Sequence, residues 1–325
     1  MSDHLATVVI LTFNGETYLR RILEALRDQQ LDGEFDVLVI DSGSTDTTLD
    51  IVSDFPEVRV HHIDKADFGH GRTRNLAASM SRGEFTAYLT HDAIPVDSSW
   101  LRHLLEPLRT MPRVAGVYGL QVPRPRCVPL LKYEIRGVFG SAGVGHGVTV
   151  DAPGWAPTEI QARATFYSDV NSAARTSVLL GEVPYRDVPY AEDQYFGADL
   201  LESGWWKAFS PMAAVEHSND LTVSEYRRRI FDEGVALSRL GFPVPTGGAM
   251  RTVVKAMRGI VGDTLRIARD PDYSWRRRLY WWAVNPAYQV AKWSAYRRVS
   301  KVDIDNEAVV EAHSLEASRR RDQGA

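Results

Sequence analysis

Apolar residues in the first 112 positions alternate between two spacings. Residues 7–13, TVVILTF, and 35–40, FDVLVI, are short, nearly unbroken runs of aliphatic and β-branched side chains. Such runs suit strands buried on both faces of a parallel sheet. Between them Tyr18, Leu19, Ile22, Leu23 and Leu26 recur at helical spacing, with Asn14 placed as an N-cap and Gly33 closing the segment. A short helix through Leu49, Ile51 and Val52 should follow, then a strand over 58–63, a helix over 72–82 stopped by Gly83, and a strand over 85–90 that runs into His91-Asp92-Ala93. Strands alternating with helices predict a parallel α/β sheet. Ligands of such sheets bind outside the carboxyl ends of the strands. The loops there, Thr12–Glu16, Asp41–Asp46 and His91–Asp97, are rich in polar side chains.

Beyond residue 112 the pattern changes. Residues 114–122 read as a strand, 137–150 with five glycines as a loop, and Tyr190-Ala-Glu-Asp193 as a polar island before a helix that ends at Gly204. Residues 208–217 bring in His217, and from about 224 the chain looks helical, with Asn285-Pro286 as an N-cap and first-turn pair. The charged tail from about 303 to 325 is expected to fray. The predicted organisation is an α/β domain over 1–222, divided into two halves at about residue 112, followed by a helical region over 223–325.

Composition narrows the class. With 44% hydrophobic and 25% charged residues the chain is globular rather than disordered. A single cysteine, Cys127, excludes an internal disulfide and a cysteine zinc cluster, and fits a reducing compartment. The N-terminus lacks a basic n-region, and no run of 18 apolar residues predicts a membrane span. The net charge of −4 is unevenly placed: residues 251–301 hold twelve Lys/Arg against three acids, net +9, which leaves −13 elsewhere. A basic region on an acidic body points to an anionic partner. Residues 273–296 carry four of the eight tryptophans, interleaved with Arg and Lys. That mixture suits a peripheral position on the inner face of the cell membrane, packing on the catalytic domain or a homodimer contact; nucleic acid is disfavoured.

Candidate chemistry lies at the strand ends. Asp92 follows a buried strand directly, where a carboxylate can hold Mg²⁺ or Mn²⁺ against a diphosphate. Asp97 reads as a helix cap and Asp46 as a helix N-terminal residue. Asp41 could accept hydrogen bonds from a base or ribose, or simply close its turn. Phe68-Gly-His-Gly71-Arg-Thr-Arg74-Asn75 combines glycines, arginines and a helix start, as a phosphate-binding segment would. Glu192-Asp193 could supply a general base or merely favour a helix N-terminus. His217 could be a metal ligand or a structural histidine. The first strand is not followed by G-x-G-x-x-G, and neither a P-loop nor a G-x-S-x-G elbow is present.

Taken together, Val9-Ile-Leu-Thr-Phe-Asn-Gly-Glu16, Val39-Ile-Asp-Ser-Gly-Ser-Thr-Asp46, Leu89-Thr-His-Asp-Ala93 and Glu192-Asp193 resemble the family-2 inverting glycosyltransferases of the GT-A fold. The likeness covers about residues 5–220. The 68–75 segment and Thr90-His-Asp-Ala-Ile-Pro95 are most similar to bacterial rhamnosyltransferases. The resemblance implies a mostly parallel Rossmann-like sheet, a catalytic domain over 1–222 with a nucleotide-sugar half to about 112 and an acceptor half over 113–222, and transfer of a sugar, rhamnose from dTDP-L-rhamnose, to a cell-envelope glycan or polyprenyl-linked acceptor. It places Thr12, Asn14, Glu16, Asp41 and Ser42 near the nucleoside, and Gly71, Arg74, Asn75, His91, Asp92 and Ala93 near the diphosphate and sugar. It makes Asp92 the ligand of Mg²⁺ or Mn²⁺, His217 a further ligand, and Asp193 the general base beside Glu192. The family's D-x-D is His91-Asp92-Ala93 here, so one acidic position is filled. A UDP-hexose donor and a silent sugar-nucleotide-binding scaffold are the alternatives.

Overall fold

The computed structural model describes residues 4–143, 145, 147–154, 166–244 and 248–323, with side chains to 319. Two compact units emerge, one formed by residues 1–123 with 135–218, the other by 124–134 with 219–325.

The first unit is built on a nine-stranded sheet of order β3-β2-β1-β4-β8-β6-β9-β5, with β7 paired to β9. The strands are β1 (His4–Thr12), β2 (Phe35–Asp41), β3 (Arg59–His62), β4 (Gly83–Thr90), β5 (Ile94–Pro95), β6 (Val114–Val122), β7 (Thr149–Asp151), β8 (Asn171–Arg175) and β9 (Trp206–Glu216). β3, β2, β1 and β4 run parallel, β8 is antiparallel to β4 and β6, and β6 and β9 are parallel. The unbroken apolar run of β1 has a direct cause. Ala6, Val8 and Ile10 pack on one face with Leu19, Ile22, Leu23 and Leu26 of helix α1 (Leu19–Arg27), while Val9 packs on the other with Leu38, Ile40 and Tyr88. Helices α2 (Thr48–Ser53), α3 (His70–Met80), α4 (Trp100–Thr110), α5 (Pro129–Ala142), which belongs to this unit only from Ile135, α6 (Thr176–Leu180) and α7 (Glu192–Glu202) follow in chain order.

Several expectations need correction. Asn14 does not cap α1: it takes φ 49°, its side chain turns to the next loop, and α1 begins after Tyr18. Gly83 opens β4 rather than closing α3, because a Cβ there would lie 2.4 Å from the Ala6 backbone. The stretch expected as a loop over 137–150 is helix to Ala142 and strand at Thr149–Asp151, since Phe139 is buried in the core. Residues 144 and 146 lie outside those described.

The second unit is helical: α8 (Val223–Arg239), α9 (Ala249–Arg269), α10 (Trp275–Val299), α11 (Glu307–His313) and α12 (Leu315–Gln323). α8 starts with a capping box in which Thr222 Oγ1 accepts from Glu225 N and Glu225 Oε2 accepts from Thr222 N. Asn285-Pro286 starts no helix; both lie inside α10, where Trp281, Asn285, Tyr288 and Gln289 bury one continuous face. The tail expected to fray forms α11 and α12, tied down where Asp232 Oδ2 accepts from Leu315 N at 2.8 Å.

Candidate functional site

The first candidate region joins the carboxyl ends of β1 and β2. Asn14 Oδ1 accepts from Thr45 N (2.8 Å), Glu16 Oε2 from Thr47 Oγ1 (2.7 Å), and Ser42 N and Oγ both donate to Thr12 O. Asp41 is buried, and accepts from Gly43 N, Ser44 N and Ser44 Oγ. Thr12, Asn14, Glu16, Asp41 and Ser42 are thus brought together, but their polar atoms largely brace one loop against the other. Thr12 Oγ1 is buried without a partner. Asp97 accepts from Ser99 N and Asp46 from Thr48 N, but the cap positions are Ser99 for α4 and Thr47 for α2, so Asp97 does not cap α4 and Asp46 lies just before α2 rather than in its first turn.

The second region lies after β4. Ala93 N donates to Thr90 O in a turn that carries the half-buried His91 and Asp92. His217, directly after β9, presents Nε2 to Asp92 Oδ2 at 3.3 Å. Its Nδ1 meets Gln121 Oε1 at 2.9 Å, while Gln121 Nε2 donates to Ser168 Oγ. The Gln121 oxygen therefore faces the ring, so Nδ1 donates to it; Nε2 faces Asp92, donating to it when the ring is cationic and free to meet a metal when the ring is neutral. Burial opposes ionisation of Asp92, but the adjacent His217 prevails and holds its carboxyl below the ordinary carboxylate range. Among the described residues no group of three or more His, Cys, Asp and Glu could hold a metal. A carboxylate oxygen and an imidazole nitrogen side by side do fit one divalent cation that takes its remaining ligands from a diphosphate and water.

The third region surrounds the start of α7. Ala191 sits at φ 64°, a strained value for a residue with a Cβ, and directs the next two carboxylates inward. Glu192 is buried and accepts from Arg74 Nη1 at 2.5 Å; Arg74 Nε lies 3.1 Å from Asp169 Oδ2. Asp169 Oδ1 accepts from Tyr185 OH (2.8 Å) and Ser172 Oγ (2.7 Å). Asp193 is half-buried, and its Oδ2 accepts from Asp169 N at 3.5 Å. Two buried carboxylates thus share one guanidinium, with Asp193 beside them. Burial, then Glu192 and Asp169, push Asp193 up to about 8 against the pull of Arg74.

The 68–75 segment departs from expectation. Arg74, expected at the diphosphate, is buried between Glu192 and Asp169. Asn75, expected beside it, clamps Tyr185 through both backbone atoms, at 2.8 and 2.9 Å. Gly71 serves backbone approach rather than ligand approach, because a Cβ there would lie 2.0 Å from Arg186 O. Gly71→Ala should therefore cost ~1–3 kcal/mol, read as a lowered thermal midpoint; an unchanged midpoint would show that the 186 segment gives way freely.

Sequence reasoning missed Asp169, Ser168 and Gln121. Ser168 holds the residue that orients His217, and its neighbour Asp169 holds Arg74 and faces Asp193. The available signal was the polar cluster Ser168-Asp-Val-Asn-Ser172 next to the strand Asn171–Arg175.

Known proteins bear on this arrangement. The family described as Glycosyl transferase family 2 matches residues 7–128. An O-antigen chain rhamnosyltransferase of Salmonella typhimurium is 31% identical, over 70% of this chain and 71% of that protein. A second, from Salmonella anatum, is 29% identical over the same shares. Among solved structures, the Staphylococcus aureus TarS fragment 1–349 aligns with 91% of this chain and 90% of its own at a TM-score of 0.53 and 18% identity. Glucosyl-3-phosphoglycerate synthase of Mycobacterium tuberculosis, in complex with Mn²⁺, UDP-glucose and phosphoglyceric acid, aligns with 74% of this chain and 81% of its own at 0.52 and 19%. The fold is GT-A-like, a mostly parallel curled sheet flanked by helices with helices following it.

Proposed function

This chain belongs to glycosyl transferase family 2 and is a glycosyltransferase, and from that premise we propose that it moves L-rhamnose from dTDP-L-rhamnose to a hydroxyl of a cell-envelope glycan or lipid-linked saccharide, with inversion. The observation that carries the reaction type is Asp193, a carboxylate in the first turn of α7 set against Asp169 and kept basic by burial and by the neighbouring Glu192 and Asp169. The Salmonella rhamnosyltransferases support the sugar.

In this reading Asp193 Oδ takes the acceptor proton while the acceptor oxygen forms its bond to the anomeric carbon. The bond from that carbon to the diphosphate oxygen breaks, and a nucleoside diphosphate leaves. An alcohol is too weak an acid to ionise alone, so a base of raised pKa is the fitting partner. Glu192 and Asp169 act through Asp193 rather than on the substrate, and Arg74 keeps their charges compatible with burial. Asp92 and His217 would hold Mg²⁺ or Mn²⁺, which when bound supplies charge for the departing diphosphate. The braced loops at Thr12–Glu16 and Asp41–Asp46 would frame the nucleoside.

Calorimetric titration with dTDP and with UDP, each with and without Mn²⁺, tests the reading. Tighter dTDP binding that requires Mn²⁺ and is weakened by Asp92→Asn is the expected result. A preference for UDP would favour a UDP-hexose donor, and no binding to either would overturn the reading in favour of a silent scaffold.

A further inference from the structure

Helices α9 and α10 run antiparallel in the second unit, with Gly259 set against Gln289 and Trp282 Nε1 donating to Thr264 O. One face of this hairpin is buried through Ala256, Asp263 and Ile267 on α9 and Trp281, Tyr288 and Gln289 on α10. The opposite face of α9 is apolar and open: Met250, Val254, Met257, Val261 and Leu265 recur at spacings of 4, 3, 4 and 4, and every one is 42–76% exposed. On α10, Trp275, Leu279, Trp282 and Val290 are likewise exposed at helical spacing. Scattered exposed apolar residues need no explanation, but a stripe along a whole helix does.

Charge identifies what covers it. Arg251, Arg258 and Arg269 lie 7 and 11 residues apart, close to whole numbers of helical turns, and so form one row beside the stripe. Among the described residues none of the three forms an ion pair. Every acid of the hairpin is paired: Asp263 with Gln289 and Arg266, Asp270 and Asp272 with Lys132. The outer face therefore offers aliphatic and indole side chains flanked by cations, with no opposing carboxylate from either helix. Among the described residues no helix is long and apolar enough to cross a membrane. A second copy laid on the same face would set cations against cations. A nucleic acid would call for stacking rings along α9, where the stripe is aliphatic.

We propose that the outer face of the α9–α10 hairpin docks on an anionic lipid bilayer, lying in its interface with the aliphatic stripe below the headgroups and the arginine row against lipid phosphates. The surface is distinct from the sugar-transfer site and does not depend on the donor. The test is co-sedimentation of the full chain with phosphatidylglycerol–phosphatidylcholine vesicles and with phosphatidylcholine vesicles, at low and high salt, without any sugar nucleotide. The full chain should bind the anionic vesicles at least about tenfold better, and lose that preference in high salt. Val254→Asp with Val261→Asp should abolish binding, and Arg251→Gln with Arg258→Gln should weaken it about tenfold. All four positions are exposed, and an unchanged melting transition confirms that each variant is folded. Equal binding to both vesicle types, no binding to either, or full binding by the doubly charged variant would overturn the proposal. So would a dimer of the wild-type chain, seen in sedimentation without lipid, that the same substitutions dissociate. Loss of vesicle binding with intact dTDP binding would leave the donor reading standing.

Discussion

Asp193→Asn should slow sugar transfer by ~10²–10⁴-fold, the usual contribution of a positioned base, while the nucleoside diphosphate still binds. The substitution keeps the shape of the side chain and its contact with Asp169 N, but removes the proton acceptor. It should also stabilise the protein. Burial, Glu192 and Asp169 disfavour the charge of Asp193 and push its carboxyl up to about 8 in the folded chain, against an ordinary value of 3.8. Between those pH values the folded chain holds a proton that the unfolded chain has lost, so stability falls as pH rises through the window. Asparagine does not titrate, and the variant escapes that fall. Its melting temperature should match the wild type near pH 4 and exceed it increasingly toward pH 8, by roughly 2–4 °C for each kcal/mol in a body of this size. Turnover near that of the wild type would remove Asp193 from its role, and a melting difference independent of pH would remove the account of its environment.

Arg74→Leu should destabilise the first unit strongly, at a cost of about 3–5 kcal/mol. The guanidinium lies between Glu192 and Asp169, both buried, and among the described residues no other cation pairs with either carboxylate. Removing it leaves two uncompensated acids in a low-dielectric core. Those acids can take up protons, so the variant should regain stability as pH is lowered, with its deficit largest at alkaline pH. Arg74→Lys keeps the charge but cannot reach both partners with one planar group, and should fall between the two. Chemical denaturation at pH 5 and pH 8 measures all of this. An Arg74→Leu midpoint equal to the wild type at pH 8 would mean that the triad contributes nothing to folding.

Much of this was legible in the chain. The parallel half of the sheet shows in its apolar runs because β1, β2 and β4 are covered on both faces, and such strands admit few polar residues. Asp92 and Asp193 stand out because each is an acid set directly against a buried element. The misreadings share one cause: local signals yielded to tertiary packing. Asn285-Pro286 carries a helix-start signal, yet the buried side chains on both sides of it keep α10 continuous. The glycines at 137 and 140 suggest a loop, yet Phe139 between them is buried and the helix persists. Arg74 and Gly71 look like phosphate-binding residues because their residue types are the same as those needed for a buried ion triad and a close backbone crossing. Asp169 was invisible for the opposite reason: its partners Arg74 and Tyr185 are 95 and 16 residues away, and no local spacing records them.

The most direct test of the central claim is the pH dependence of nucleoside diphosphate release from dTDP-L-rhamnose with Mn²⁺ present, read as kcat/KM from pH 6 to 9.5. With Asp193 as the base, the rate should climb through pH 7 and level off above a midpoint near 8. A profile that is flat over that range, or that falls as pH rises, would contradict it.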